Sequence, residues 1–143
     1  MRFHRDVEYA LISLSVMIKE RRLYSARELS GSNNVPYGLL CKILQRLSSA
    51  QFLESIQGPK GGYRLAVDPE EVSLSEIMDA VHGEEHVAPC LDEGDCGREG
   101  DCTIRPGVLK VQSMWDNLIT RMTLAEFVSM DEKQINEPTA KEA

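Results

Sequence analysis

The sequence has no apolar run of the roughly 18 residues that a membrane-spanning helix needs, so we expect no membrane contact. Its N-terminal stretch, MRFHRDVEYALISL, carries charges but no small-residue cleavage signature, which argues against a signal peptide. We therefore expect a cytoplasmic protein. Because thiols are kept reduced there, the four cysteines are not interpreted as a disulfide framework.

Catalytic patterns are also missing. The chain has no Ser/His/Asp or Cys/His pairing, no phosphate-cradling loop before a helix and no carboxylate pair in an evident pocket. It has no internal repeat and no low-complexity tract. The sequence predicts a protein that is not an enzyme, with 143 residues forming one domain or a small domain plus an assembly element.

The net charge of −7 hides a strong asymmetry between the two halves of the chain. Residues 1–66 carry ten Lys/Arg and five Asp/Glu, a balance of +5, whereas residues 67–143 carry six and eighteen, a balance of −12. A positively charged N-terminal half could bind the phosphate backbone of a nucleic acid. Ordinary solvated surface charge also explains a charge difference of this size between the two halves.

Apolar periodicity, capping boxes and turn signals predict the order of secondary structure. The predicted elements are a helix from about Asp6 to Glu20, a short helix capped by Ser25 and ending near Ser30, a turn at GSNN, a helix from Pro36, strands Phe52–Ile56 and Tyr63–Ala66 joined by GPKGG, a helix from Ser73 to about His82, a long helix from Pro106, and a short helix capped by Thr123. This order predicts a mainly α fold with a small two-stranded β wing. It is typical of a winged helix-turn-helix, whose second motif helix enters the DNA major groove.

The predicted domains follow from these elements. Residues 1–83 form the winged helix-turn-helix, 84–104 a cysteine-containing loop, 105–130 a long dimerisation helix with a short helix after it, and 131–143 a polar, disordered tail. Along the long helix, one apolar stripe is predicted, formed by Val108, Val111, Trp115, Leu118, Ile119 and Met122.

The loop sequence CLDEGDCGREGDC holds Cys90, Cys96 and Cys102, each separated from the next by five residues. Residues 84–102 contain seven acids and one base, Arg98, and negative neighbours disfavour a reactive thiolate. A cationic metal centre reverses that balance. The spacing is wider than that of structural zinc sites, and a cluster tolerates wider ligand spacing. The residues alone leave an iron–sulfur cluster, zinc and unliganded thiols open.

The blocks DVEYALISL, PYGLLCKILQRLSSAQFLESIQGPKGGYRLA and SLSEIMDAVHG, together with the C-x5-C-x5-C loop, resemble the IscR/NsrR (Rrf-two) family of winged-helix transcription regulators. The resemblance covers nearly all of residues 1–130. It implies a homodimer paired through the long helix, a partly palindromic double-stranded DNA operator, and an iron–sulfur cluster on the three cysteines, with [4Fe–4S] favoured over [2Fe–2S]. The predicted DNA contacts are Arg2, Tyr37, Lys42, Arg46, Gln57 and Lys60.

The chain departs from the family pattern at several positions. Gln57 stands where an arginine commonly precedes the wing glycine, and Cys41, followed by Lys42, stands where iron–sulfur members have a glutamate. The operator therefore cannot be transferred from those relatives. Cys41 is interpreted as a packing or groove-contact residue.

A fourth cluster ligand is not evident. Arg105 occupies the position of the histidine ligand of some relatives. Glu8 sits where others supply an oxygen ligand from the partner subunit, but it could equally be a solvated carboxylate at a helix start. His82 and His86 are further candidates.

These observations predict a DNA-binding transcription regulator, in particular a repressor, that senses iron–sulfur status, nitric oxide or redox through the cluster. One alternative is a regulator of the same fold without a cluster, which senses by thiol oxidation or by binding a small molecule or partner. Another is a metal-trafficking protein with a degenerate DNA module.

Overall fold

The structure is a computed structural model that describes residues 3–92, 96–98 and 100–131. These residues form helices α1 (Arg5–Lys19), α2 (Ala26–Asn33), α3 (Tyr37–Ser49), α4 (Leu74–Val81), α5 (Arg105–Arg121) and α6 (Leu124–Ser129), strands β1 (Leu53–Ile56) and β2 (Gly62–Leu65), and a 3-10 turn at Pro89–Leu91. The predicted mainly α fold with a small two-stranded wing is confirmed. The predicted tail lies almost wholly outside the described residues.

The core sits where α1, α3 and α4 pack together, and α2 covers its edge. Leu14 and Met17 of α1 and Leu40 and Leu44 of α3 are fully buried, so each of these two helices turns an apolar stripe toward the core. Burying one such side chain contributes roughly 1.5–3 kcal/mol, so these stripes fix how α3 lies on α1.

Helix α2 is longer than the sequence predicted. The predicted cap by Ser25 is confirmed, since Ser25 Oγ accepts a hydrogen bond from the backbone N–H of Glu28, but the predicted capping box is incomplete because the Glu28 carboxylate pairs with Arg22. The predicted turn at GSNN is wrong, because the helix continues through Asn33 and ends at Asn34, which adopts a left-handed conformation with φ of 53°. Ser32 Oγ and Asn33 Nδ2 donate to carbonyls one turn earlier, so these polar residues bond within the helix. Because α2 extends to Asn33, the turn between α2 and α3 consists only of residues 34–36.

The wing is anchored to the segment before α2. Strands β1 and β2 pair antiparallel from Leu53↔Leu65 to Ile56↔Gly62. Tyr24 adds a bridge on the other side of β2, exchanging two hydrogen bonds of 2.8 Å with Tyr63. Gly62 lies so close to this segment that a Cβ would stand 2.4 Å from Tyr24 O, which explains why the position is glycine.

Helices α4 and α6 begin side by side. Two of the three predicted capping boxes, Ser73 with Glu76 and Thr123 with Glu126, are confirmed. The two cap residues also pair as an antiparallel bridge. The chain therefore returns to the N-terminal core after α5, and Leu124 is completely buried there.

The single apolar stripe predicted for α5 divides into two faces. Ile119 is buried, and Trp115 packs partly buried against the core. Val111 and Leu118 instead point outward, and they form an exposed apolar face, here called the outer α5 face, with Ile104 and Met114. These four side chains are 46–68% exposed. No helix within the described residues is long and apolar enough to cross a membrane.

Candidate nucleic-acid interface and cysteine loop

The outer side of α3 carries exposed polar side chains, because its apolar residues face the core. Tyr37 begins the helix and is 45% exposed, and Lys42 and Gln45 are exposed further along. This surface follows the short α2–α3 turn, which is the arrangement of a recognition helix. Two of the predicted DNA contacts, Tyr37 and Lys42, therefore lie on one open surface.

A third group on this surface is Arg27, which is not among the DNA contacts predicted from the sequence. Its guanidinium lies 4.9 Å from the centre of the Tyr37 ring, a cation–π contact that brings a positive charge from α2 to the start of α3. Hydrogen bonding to the Cys41 side chain raises the pKa of Tyr37 above its ordinary value. Arg27 and Tyr37 are ten positions apart on different helices, and no periodicity signals their contact.

Arg46 has structural partners. Its Nη1 donates a 2.6 Å hydrogen bond to the Val81 carbonyl at the end of α4 and lies 3.7 Å from the Asp6 carboxylate of α1. The side chain is still half exposed. Arg46 therefore ties α3 to α1 and α4, and its predicted contact with DNA stays a prediction.

The wing tip presents Gln57 and Lys60, both exposed. The neighbouring Arg64 is paired with Glu54 at 2.7 Å, and this ion pair raises the pKa of Arg64 and lowers that of Glu54. Lys60 is therefore the wing cation left for a phosphate among these residues. Arg2, also predicted to contact DNA, lies outside the described residues.

The three loop cysteines line one depression of about 690 Å³. Cys90 and Cys102 are partly buried and Cys96 is exposed, and all three are free thiols. Its other lining residues include apolar Ala88, Pro89, Ile104 and Val108 and charged Arg98 and Asp101. The described cysteine sulfurs are not grouped closely enough for a single ion, whereas a cluster is larger and its ligands lie further apart. The three cysteines line one partly apolar depression, and cysteine thiolates are the usual ligands of an iron–sulfur cluster, so the residue types present fit that group.

The start of the loop is fastened to α5. The backbone N–H of Val87 donates a 2.7 Å hydrogen bond to the buried side chain of Gln112, whose amide nitrogen in turn donates to Asp116. His86 Nδ1 lies 2.8 Å from Asp92, and this hydrogen bond raises the pKa of His86. The loop is thus not independent of the helix that follows it.

The candidate fourth ligands lie outside the depression of their own chain. His82 and His86 line a separate cavity that contains none of the three loop cysteines. Glu8 projects from α1 with its side chain 43% exposed and lies 3.2 Å from Arg5. A cluster ligand from Glu8 would therefore come from a partner subunit, as predicted from the resemblance, and it stays a prediction.

A short α2–α3 turn, an exposed polar α3 and a β hairpin beside it define a winged helix-turn-helix protein of the DNA-binding class. Residues 3–130 match the family model Rrf2, described as an iron-dependent transcriptional regulator, and the chain belongs to that family. It is a transcription regulator and not an enzyme.

Known proteins with similar sequences are also named as HTH-type transcriptional regulators. An rrf2-like HTH-type transcriptional regulator of Rhodobacter capsulatus is 31% identical over 87% of this chain and 91% of its own length. The HTH-type transcriptional regulator NsrR of Bacillus subtilis is 25% identical over 74% of this chain and 71% of its own length. Among solved structures, CymR of B. subtilis, titled the global cysteine regulator, superposes with a TM-score of 0.71 at 18% identity, covering 92% of this chain and 99% of that one.

Proposed function

We propose that this regulator is a cytoplasmic, homodimeric repressor that senses iron–sulfur status, nitric oxide or redox through a cluster held by Cys90, Cys96 and Cys102. The observation that carries the proposal is the convergence of these three cysteines on one partly apolar depression. When bound, the cluster would supply iron that exchanges electrons and binds small molecules. Cys90, Cys96 and Cys102 would hold the cluster as thiolates, and the cationic iron–sulfur core would favour their deprotonated form within the acidic loop.

The two subunits are proposed to pair through the outer α5 face. Its four large apolar side chains are exposed in the single chain, and burying them against a second copy would remove them from water. We accordingly propose that residues 1–83 form the DNA-binding module, 84–104 the cysteine loop and 105–130 the part that joins the subunits. The loop then lies between the DNA-reading module and the pairing helix.

This placement supports a mechanism for switching. Cys102 lies three residues before α5, and Val87 is bonded to Gln112 within α5. A cluster on Cys90, Cys96 and Cys102 would hold the two ends of the loop together, and its loss would free them. The relative populations of two arrangements of the DNA-reading modules would then change.

The test is anaerobic purification of the whole chain, followed by visible spectroscopy and analysis of iron and acid-labile sulfide. We expect a coloured protein whose spectrum and affinity for its own promoter change on exposure to nitric oxide or air. Replacing Cys90, Cys96 and Cys102 by Ser should abolish colour and response, whereas the control Cys41→Ser should keep the colour. A colourless, iron-free wild-type protein would refute the proposal and favour the cluster-free regulator.

A further inference from the structure

We propose that His4, His82 and Glu85 bind one divalent first-row transition-metal ion at a site separate from the cysteine depression. His4 Nε2 lies 2.5 Å and His82 Nε2 3.3 Å from the same carboxylate oxygen, Glu85 Oε1. One ligand atom from each residue lies within 4.8 Å of the other two. Two imidazoles and a carboxylate are the donors that zinc and its neighbours in the first row prefer.

The geometry at Glu85 points to a cation between the three side chains. His4 Nε2 and His82 Nε2 both approach Glu85 Oε1, so the three atoms surround one small volume. The His4 and His82 rings are stacked, with centroids 3.9 Å apart and planes 11° from parallel, and both present Nε2 to Glu85. A metal ion in that volume would accept a lone pair from each of the three atoms.

Asp6 supplies the outer partner that metal-bound histidines commonly have. Its carboxylate lies 2.9 Å from His82 Nδ1, which places the proton there and leaves Nε2 free to bind a metal. Asp6 is held in turn, since its side chain is only 16% exposed and accepts from the backbone N–H of Val7. The orientation of the His82 ring is therefore fixed before any ion arrives.

Two segments of the fold deliver the ligands: the N-terminal segment before α1, and the end of α4 with the residues that follow it. Phe3, which packs against Trp115 and Phe127, holds the segment that carries His4. His82 ends α4, and Glu85 follows after Gly83, whose φ is 99°. The ligands line a cavity of about 190 Å³ that also contains acidic side chains of α4 and α5. This negative surrounding favours a cation, and the open side leaves room for water ligands.

A metal here would fasten the N-terminal segment to the start of the cysteine loop. Through Asp6, the same site reaches Arg46 of the recognition helix. The ion would therefore influence how α3 is held, and this regulatory effect rests on the proposed function. Metal binding itself does not, because none of the three ligands lines the cysteine depression.

The test uses the full-length, tag-free chain with Cys90, Cys96 and Cys102 replaced by Ser, so that thiolates and a cluster cannot contribute. After treatment with a chelator, the protein is titrated with Zn²⁺ by calorimetry. We expect one Zn²⁺ per chain and no comparable binding of Mg²⁺, which prefers oxygen ligands.

Matched variants then identify the ligands. His82→Gln and Glu85→Gln should each weaken Zn²⁺ binding at least tenfold, whereas His86→Gln and Glu84→Gln, in the same cavity, should leave it within about twofold. Asp6→Asn should weaken it about 10- to 100-fold, as for other outer partners. Circular dichroism checks that each variant is folded, and His4→Gln provides a second variant at a different ligand.

Either of two results would overturn the site: no stoichiometric Zn²⁺ binding, or equal affinities in the ligand and control variants. Because this background cannot hold a cluster, a negative result leaves the cysteine proposal standing. A colourless wild-type protein, conversely, leaves the zinc result standing.

Discussion

Replacing Gly62 by alanine tests how the wing is attached to the body of the protein. The new Cβ would stand 2.4 Å from Tyr24 O and 2.8 Å from Tyr24 C, both backbone atoms that cannot rotate away. The φ of +155° is also one that residues with a side chain rarely adopt. The substitution must therefore push β2 away from the Tyr24 segment.

The expected cost follows from what that movement breaks. The Tyr24–Tyr63 bridge has two hydrogen bonds of 2.8 Å, each worth about 0.5–1.5 kcal/mol. Backbone strain at this φ adds about 1–3 kcal/mol. The free energy of unfolding should therefore fall by about 2–6 kcal/mol, a large part of the roughly 5–15 kcal/mol that stabilises a typical domain.

Urea denaturation followed by circular dichroism measures this loss, and fluorescence anisotropy with promoter DNA shows whether the displaced wing weakens binding. The matched control is Gly31→Ala in α2, where a Cβ meets nothing within 4 Å. It should stabilise the protein by about 0.5–1 kcal/mol, because alanine is the better helix former. Equal denaturation midpoints for the two variants would show that the wing does not rest on Tyr24 as described.

Three further outcomes are expected. Leu118→Glu on the outer α5 face should give monomers in analytical ultracentrifugation, while Ser113→Glu on the polar side should stay dimeric; two identical profiles would exclude this face as the interface. Arg27→Ala should reduce the slope of log affinity for DNA against log salt by about 1, and Lys110→Ala on α5 should not; an unchanged slope would place Arg27 away from the phosphates. Burial, with nearby acidic charges, raises the pKa of Asp79, so its charged form is penalised in the fold. Asp79→Asn should stabilise the protein at about pH 7, and the gain should shrink as the pH falls through that raised pKa; a gain independent of pH in denaturation experiments would contradict this cause.

The sequence predicts what depends on local signals. The capping boxes at Ser73 and Thr123 predicted where two helices begin to within one residue. A hydroxyl and a carboxylate three positions apart accept hydrogen bonds from the free backbone N–H groups of a helix N-terminus, and this signal is local. The end of α2 was wrong for a related reason. Ser32 and Asn33 favour turns, but their side chains can also bond to the preceding helical turn, and composition does not distinguish the two.

Features that depend on tertiary packing were less predictable. Periodicity showed that α5 is apolar along its length, but Ile119 and Leu118 are adjacent in the chain and lie on opposite sides of the boundary between core and surface. The cysteine spacing indicated a shared site, and the structure brings the three side chains to one depression. The approach of His82 to Asp6 spans 76 positions, and no spacing rule anticipates it.

The bridge between Ser73 and Thr123 has a consequence for how this protein can be divided. A fragment ending near residue 83 would keep every element of the DNA-reading motif but would lack Leu124 and Ile119, which complete its interior from the far end of the chain. Helix α4 would also lose its packing against α5, which lies outside such a fragment. The winged helix-turn-helix is therefore expected to be less stable as an isolated fragment, because residues from the segment proposed to join the subunits complete its core.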